Sequence, residues 1–407
     1  MSNNFESNQW FGSVPSDWKV ERLQWHLDEI VEKNNPVKTT NILSLTNKLG
    51  VVPYSEKGNQ GNVAKENYNE YKLAYENTIV ANSMNVLIGS VGLSKYCGCV
   101  SPVYYVFKAK DGENINFYNY VFQTNEFQKE LRRFANGILE IRLRVSSNDI
   151  LKRLTPIPSF AEQLAIVSLL DKKISQINEL IANQEAQIER VEEYKQAITD
   201  LAFVKCKTIK LKFLSNGITD GTHGSFLRVD NGKMLLSAKN LGEDELLLSS
   251  NESCISDDDY DSIIKCGFPR KNDILMCCVG EIGKVIIYNY DEIYAFQRSV
   301  MFIRPSNNIL PEFLLYSLRT SYVKIQETKL TNKTIQSGLY QGLVKELLIP
   351  YADDNDKQKE IVTSLKSTLI IVDNLLKTKK KKIMALLNYK KSLVYEYVTG
   401  KKRCVCD

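Results

Sequence analysis

Apolar residues recur at alternating steps of three and four residues along two long stretches of the chain. The first seam consists of Val167, Leu170, Ile174, Ile177, Ile181, Gln184, Ile188, Val191, Lys195 and Ile198. Raising each number by 195 gives Val362, Leu365, Leu369, Val372, Leu376, Lys379, Ile383, Leu386, Lys390 and Leu393. Both seams are apolar at eight of ten positions and polar at the same two steps, so we predict a duplicated coiled-coil helix.

The two predicted helices differ in charge. Residues 160–200 carry a net charge of −4, and residues 357–403 carry a net charge of +10. Because matching seams and opposite charges favour association, we expect the helices to pair as an antiparallel coiled coil. The alternative is two independent solvated helices, which would expose the apolar seam of each and favour aggregation.

Short apolar runs bounded by turn residues fill the segment before each helix. They predict strands over 103–107, 274–279, 285–290 and 299–304, final strands over 151–154 and 344–347, and helical stretches over 118–134 and 311–326. The pairs Ile157-Pro158 and Ile349-Pro350 mark the domain boundaries, since proline cannot lie inside the helix that follows. The predicted fold class is α+β with a pseudo-two-fold internal repeat. Two mixed α/β domains, 1–157 and 206–349, are separated by long helices within 158–205 and 350–407.

The composition is typical of a soluble globular protein. The 407 residues are 43% hydrophobic and 25% charged, which is enough for two or more domains with their own cores. The apolar runs are too short to cross a membrane and the start, MSNNFESNQW, lacks the regions of a signal peptide, so we expect a cytoplasmic protein. Nine cysteines without zinc-finger spacing and only two histidines, His26 and His223, argue against a metal site.

Several stretches of the sequence carry a resemblance to one known family. They are PSDWKVERL (15–23), IPSFAEQLAIVSLLDKKI (157–174), YKQAIT (194–199), TDGTH (219–223) and DILMCCVGEIGKV (273–285). In these stretches, and in the order globular, helix, globular, helix, nearly the whole chain resembles the DNA-specificity subunit of type I restriction-modification systems. The second half departs from the pattern because KTIKL, at 207–211, replaces the Pro-x-x-Trp opening. The sequence after Gly92 also matches more loosely than the sequence after Gly283.

The resemblance implies a function. Each globular part would be a target recognition domain that reads one half of a bipartite, asymmetric site in double-stranded DNA. The helices would act as spacers and as docking surfaces for two methyltransferase subunits and, through them, for restriction subunits that are motor-nucleases. The resemblance also implies that this chain is non-catalytic and binds no cofactor, with S-adenosylmethionine, ATP and Mg²⁺ used by the partner subunits.

Helix length is compatible with the spacer role. A helix from Val167 to Ile198 rises on the order of 45 to 50 Å, and sites on one face of DNA recur every ~34 to 36 Å. We therefore expect the length of the spacer to determine the distance between the two half-sites.

Candidate DNA contacts are arginine, lysine and small polar residues near predicted turns, because these side chains bond to phosphates and base edges. In the first domain they are Arg132, Arg133, Arg142 and Arg144, for which ordinary solvated surface is an equally open interpretation. In the second domain they are Thr222, His223, Lys284, Arg298, Lys329 and Lys333. Matched positions on the helices are candidates for spacing and partner docking: Gln163, Ile174, Ile181, Ile188 and Tyr194, with Gln358, Leu369, Leu376, Ile383 and Tyr389.

Two alternatives belong to other functional classes. Glu312, Glu327 and Lys329 loosely match the carboxylates and lysine of a Mg²⁺-dependent nuclease, although Glu312 also suits a helix N-terminus. The second alternative is a coiled-coil adaptor without DNA specificity. The sequence GEIGK at 280–284 is too short for a phosphate-binding loop, and it predicts a β-hairpin turn.

Overall fold

A computed structural model of the chain describes residues 9–46, 50–58, 67–136, 143–331 and 338–404. Two of the predicted DNA contacts, Arg142 and Lys333, lie outside these residues. The chain falls into two compact units. Unit 1 comprises Met1–Gln184 and Lys381–Asp407, and unit 2 comprises Glu185–Lys380.

An antiparallel sheet and a set of short helices form the globular part of unit 1. Its strands are β1 Lys19–Arg22, β2 Leu27–Glu29, β3 Leu43–Thr46, β4 Gly50–Pro53, β5 Lys72–Ala74, β6 Thr78–Asn82, β7 Val91–Ser94, β8 Gly98–Val100, β9 Tyr104–Ala109 and β10 Leu154–Ile157. Its helices are α1 Ile115–Gln123, α2 Asn125–Arg132 and α3 Ser147–Leu151, followed by the start of the long helix α4 Phe160–Phe203. The main sheet has the order β2-β9-β6-β7, and smaller pairs form between β1 and β10, β3 and β4, and β5 and β8.

The globular part of unit 2 repeats the four-stranded main sheet and the strand pair that precedes the long helix. Its strands are β11 Lys207–Lys210, β12 Ser215–Asp220, β13 Lys233–Leu236, β14 Cys254–Ile255, β15 Ile274–Cys277, β16 Val285–Ile287, β17 Ala295–Phe296, β18 Val300–Pro305 and β19 Leu348–Tyr351. Its helices are α5 Asp257–Cys266, α6 Pro311–Leu318, α7 Ser321–Thr331 and α8 Gln341–Val344, followed by the long helix α9 Asn355–Val398. The main sheet has the order β12-β18-β15-β16, and a second sheet has the order β14-β13-β17.

The two main sheets confirm the predicted α+β fold and its internal repeat. In each unit an antiparallel pair of strands leads into the long helix, with Lys19 opposite Ile157 in unit 1 and Lys207 opposite Tyr351 in unit 2. In each unit a short 3-10 turn lies between the first strand of this pair, β1 or β11, and the first strand of the main sheet, β2 or β12. Each turn begins with a fully buried leucine that anchors it in the core, Leu23 in unit 1 and Leu211 in unit 2.

The seam of the long helices is confirmed position by position. Each of its twenty residues is buried or half-buried. In unit 2, Lys195 of α4 forms an ion pair with Asp373 of α9 at 2.5 Å. In unit 1, Lys390 of α9 donates a hydrogen bond to Asn178 of α4 at 2.9 Å. Lys390 is the repeat equivalent of Lys195, and Asp373 is the repeat equivalent of Asn178, since each pair differs by 195. The same lysine contact therefore occurs once in each unit. In both units the contacting segments of α4 and α9 run antiparallel.

Two strand predictions are wrong. Residues 151–154 and 344–347 were expected to be strands, whereas short helices occupy 147–151 and 341–344 and the strands follow three or four residues later. In the first case the hydroxyl of Ser146 accepts the backbone N–H of Asp149 and so caps a helical turn.

Each predicted helix of the globular parts is broken in two. The expected helix over 118–134 is interrupted at Thr124, whose hydroxyl caps α2 by accepting the backbone N–H of Phe127. The expected helix over 311–326 is interrupted between α6 and α7, at residues 319–320.

The Pro-x-x-Trp segment of unit 1, residues 15–18, contacts residues that follow α9. Arg403 donates two hydrogen bonds to the carboxylate of Asp17, at 2.9 and 2.8 Å, and two to that of Glu162, at 2.7 and 3.3 Å. The indole N–H of Trp18 donates to the same Glu162 at 2.9 Å. The Pro-x-x-Trp opening therefore packs against the end of α9.

In the described part of the chain, every helix is too short or too polar to cross a membrane.

Candidate nucleic-acid interface

A polar loop follows the edge strand β12 in unit 2. The backbone N–H groups of Gly221 and Thr222 donate to Val300 and Phe296, at 2.9 and 2.8 Å, and the N–H of Arg298 donates back to the Thr222 carbonyl at 2.9 Å. Gly221 is required here, because a Cβ atom on it would lie 2.3 Å from the Gln297 carbonyl oxygen. The loop is thereby fixed to the turn before β18.

This attachment brings three predicted DNA contacts together. Thr222 is half-buried, and its hydroxyl accepts the N–H of Gly224 at 3.2 Å. His223 and Arg298 are exposed, and Arg298 forms no ion pair with the described residues. His223 lies 3.6 Å from Asp220, too far for a strong pair. The group of Thr222, His223 and Arg298 therefore presents hydrogen-bond donors and a positive charge to solvent, which suits phosphates and the edges of guanine.

Lys284 lies elsewhere in unit 2. It follows the β15–β16 hairpin turn, which the sequence predicted, and its ammonium pairs with Glu281 at 2.7 Å. Its side chain lines a cavity of about 250 Å³ next to α4, together with Lys195 and Arg319. Lys284 thus does not join the Thr222, His223 and Arg298 group. Lys329 is exposed near the end of α7.

The buried carboxyl group of Glu327 packs against the β15–β16 hairpin. Glu327 of α7 is 4% exposed, and its Oε1 has no hydrogen-bond partner among the described residues. The carboxyl lies against Gly283, where a Cβ atom would approach Oε2 to 2.1 Å. Burial raises the pKa of Glu327 to about 7, and Lys324 opposes this shift only in part. This burial is not predictable from the sequence, because glutamate on a helix is usually solvated.

Glu327→Gln is expected to stabilise the protein at pH 8 but not at pH 4. Below the usual pKa of 4.5 the carboxyl is protonated in both folded and unfolded states. As the pH rises to 7, only the unfolded state ionises, and stability is lost by up to about 3 kcal/mol. The neutral amide removes this loss. Urea unfolding between pH 4 and pH 8 measures it.

Glu312→Gln is the matched control, because Glu312 is a surface residue of the same unit that pairs with Lys366 at 2.7 Å. We expect no stabilisation from it at pH 8. An equal pH dependence in wild type and Glu327→Gln would show that the carboxyl of Glu327 ionises normally.

Three of the four predicted arginines of unit 1 can be placed. Arg132 and Arg133 are exposed at the end of α2, where Arg133 pairs with Glu130 at 3.0 Å. The backbone of Arg144 exchanges two hydrogen bonds with Asn136, at 2.7 and 2.9 Å, and its side chain is exposed. Arg132 and Arg144 form no ion pair with the described residues, so their guanidinium groups are available to phosphate.

The matched positions on the long helices divide into three kinds. Ile174, Ile181, Ile188, Leu369, Leu376 and Ile383 are seam residues. Tyr194 and Tyr389 are exposed, at 55% and 50%. The third kind is the pair of buried glutamines, Gln163 and Gln358, which join the start of each long helix to the globular part of its unit.

The two glutamines make equivalent contacts. The side-chain oxygen of Gln163 accepts the N–H of Asn114, the cap of α1, at 2.9 Å, and its amide donates to Glu113 and Pro158. The side-chain oxygen of Gln358 accepts the N–H of Leu310, the cap of α6, at 2.8 Å. Its amide donates to the carbonyls of Asn308 and Ala352, at 2.9 and 2.8 Å.

The residues of the nuclease alternative do not form a metal site. Glu312 pairs with Lys366 on the surface, whereas Glu327 is buried beneath Gly283. Among the residues that the structure describes, no three histidine, cysteine or carboxylate side chains are grouped to hold a metal ion.

Comparison with known proteins decides the family. The model of the type I restriction modification DNA specificity domain matches the chain twice, over residues 15–190 and 201–385. The chain belongs to the type I restriction-modification DNA-specificity family. It is therefore a specificity subunit, the non-catalytic component of such a system, and neither the nuclease nor the adaptor alternative is supported.

One solved structure shows the same fold as this specificity subunit, and two others are similar to it at lower TM-scores. A chain from a structure on complex assembly and conformational transition of the type I R-M system has a TM-score of 0.70 at 14% identity, over 96% of this chain and 100% of that one. The HsdS subunit from Thermoanaerobacter tengcongensis has a TM-score of 0.47 at 14% identity, over 96% and 98% of the two chains. The S subunit from M. genitalium has a TM-score of 0.39 at 15% identity, over 96% and 99%. No curated protein matches the sequence of this subunit.

Proposed function

We propose that this specificity subunit reads a bipartite, asymmetric site in double-stranded DNA. Residues 1–157 and 206–349 would be the two target recognition domains, and 158–205 and 350–407 the spacer helices. The observation that carries the proposal is the repetition of one sheet order, β2-β9-β6-β7 and β12-β18-β15-β16, with different side chains on the surrounding loops. A shared scaffold with different donors suits two half-sites of different sequence.

The exposed donors differ between the two units. Unit 2 presents Thr222, His223 and Arg298 on adjacent turns. Unit 1 presents Arg132 and Arg144 beside the end of α2. Arginine can bond to guanine or to phosphate, whereas threonine and histidine offer single hydrogen bonds, so the two surfaces favour different bases.

The repeat also suits a partner that binds in two copies. Tyr194 and Tyr389 occupy equivalent positions on α4 and α9, and both are exposed. We propose that these surfaces help to dock two methyltransferase subunits and, through them, the restriction subunits. Methyl transfer from S-adenosylmethionine, and ATP- and Mg²⁺-dependent cleavage, would take place in those partners.

Methylome sequencing of cells that express the complete complex tests the proposal. With wild-type protein we expect one bipartite methylated motif, which disappears when the gene is deleted. Arg298→Ala should weaken the preference at one half-site by roughly 5- to 150-fold, the range expected for loss of one arginine–base contact, and should leave the other half-site unchanged.

Arg270→Ala provides the control, because Arg270 is also exposed in unit 2 but lies next to Phe268, outside the Thr222, His223 and Arg298 group. It should preserve the motif. A complex that methylates without any bipartite motif, or a purified chain that methylates or cuts DNA by itself, would contradict the proposed function.

A further inference from the structure

The two main sheets assign a counterpart to the Thr222 loop. In unit 2 this loop leaves the edge strand β12, which follows the 3-10 turn Leu211–Phe213. In unit 1 the equivalent edge strand is β2, which follows the 3-10 turn Leu23–Trp25. The chain that leaves β2 forms a turn over residues 33–38, with the sequence KNNPVK. Residues 33–38 thus follow the edge strand of unit 1, as the Thr222 loop follows the edge strand of unit 2.

A buried asparagine organises this turn. Asn34 is 0% exposed, and its side-chain N–H groups donate to the carbonyls of Thr39 and Tyr68, at 2.8 and 3.1 Å. Its side-chain oxygen accepts the N–H groups of Lys38 and Thr39, at 2.8 and 3.1 Å. All four hydrogen-bonding positions of the carboxamide are therefore used, three to close the turn and one to join it to Tyr68.

The backbone joins the turn to the rest of unit 1. The N–H of Asn34 donates to the Tyr71 carbonyl at 2.8 Å, and the N–H of Leu73 donates to the Glu32 carbonyl at 2.9 Å. Glu32 also pairs with Lys38 and accepts the hydroxyl of Tyr75 at 2.6 Å. Because the turn is held at its base and at its end, the residues between have little freedom, which is the arrangement that base reading requires.

The side chains between these supports point to a nucleic-acid ligand. Asn35, Pro36, Val37 and Lys38 are exposed. An exposed carboxamide can donate to and accept from the N6/N7 edge of adenine, and an apolar side chain can contact the methyl group of thymine. Asn35 and Val37 supply these two groups within three residues, whereas the ammonium of Lys38 pairs with Glu32.

We infer that residues 33–38 form a base-reading turn for the half-site of unit 1, with Asn35 contacting an adenine in the major groove and Asn34 positioning the turn. This inference rests on the proposed function, because it specifies which residues of the first recognition domain read sequence. The turn is the unit 1 counterpart of the Thr222 loop and acts on the other half-site.

Asn35→Ala in the complete complex tests the inference. We expect the methylome to keep its bipartite form but to lose the preference for adenine at one position of one half-site by roughly 10-fold. The affected half-site should be the one that Arg298→Ala leaves unchanged. Asn148→Ala is the matched control, because Asn148 is an exposed asparagine of the same unit on α3, and it should preserve the whole motif.

The outcomes separate this inference from the proposed function. If wild type shows no bipartite motif, the proposed function fails. If wild type shows the motif and Asn35→Ala leaves it intact, or alters the same half-site as Arg298→Ala, the inference is wrong. If Asn35→Ala abolishes methylation, binding of the complex is measured on oligonucleotides with each base changed in turn. A preference lost at one position supports the inference, and an equal loss of binding on all of them overturns it.

Discussion

Replacing Gln163 with leucine is expected to destabilise unit 1 by about 3 to 5 kcal/mol, and replacing Gln358 with leucine should do the same to unit 2. Each change leaves the N–H group of a half-buried helix cap, Asn114 or Leu310, without its partner, and also a buried carbonyl group, that of Pro158 or Ala352. An unsatisfied buried group costs roughly 1 to 3 kcal/mol. Hydrogen exchange measured by mass spectrometry reports the two units separately.

Gln176→Leu is the control for this experiment, because Gln176 is an exposed glutamine on α4 within unit 1. We expect it to change the free energy of unfolding by less than about 0.5 kcal/mol. If Gln163→Leu affects exchange no more than Gln176→Leu, the buried hydrogen bonds do not join the helix to the globular part of the unit.

Replacing Gly221 with alanine is expected to destabilise unit 2 by about 3 to 4 kcal/mol and to abolish recognition of its half-site. The added Cβ atom would lie 2.3 Å from the Gln297 carbonyl oxygen and 2.5 Å from that of Phe296. These are backbone atoms, so the clash is relieved only by separating the loop from the turn that carries Arg298. Denaturant unfolding and DNA binding by the complete complex measure the two effects.

Gly217→Ala is the matched control, because Gly217 lies on the same strand, β12, and its Cβ atom would meet nothing within 4 Å. It should leave both stability and DNA binding near wild type. If both variants lose the same amount of stability and DNA binding, the effect comes from replacing any glycine in this region. Close packing of the Gly221 loop would then not be its cause.

The most reliable prediction came from the strongest regularity, the apolar seam of the two long helices. The seam repeats over many heptads in both helices, and each of its positions is shielded in the structure. Short segments were harder, because a few residues carry too little periodicity to separate a strand from a helical turn. At 147–151 the side chain of Ser146 caps a helical turn where a strand was predicted nearby. At Thr124 a second cap starts a new helix and so divides one predicted helix into two.

The candidate site was only partly predictable, since its geometry depends on contacts between distant residues. Thr222 and Arg298 were both singled out, but their adjacency results from hydrogen bonds between loops that are far apart in the sequence. Lys284 appeared equally suitable and instead faces a cavity beside α4. Gln163 and Gln358 were recognised as a matched pair, and their burial follows from cap contacts that the sequence pattern does not encode.

The contact between Asp17 and Arg403 has a consequence for synthesis on the ribosome. Unit 2 is one continuous segment, Glu185–Lys380, so all of its residues have been made before α9 is finished. Unit 1 begins before unit 2 but also needs the last part of α9 and Arg403, which are made after unit 2. Multidomain proteins generally fold from the N-terminus as they emerge. In this chain unit 2 can complete its fold before unit 1, because unit 1 lacks one of its two segments until residues 381–403 have been made.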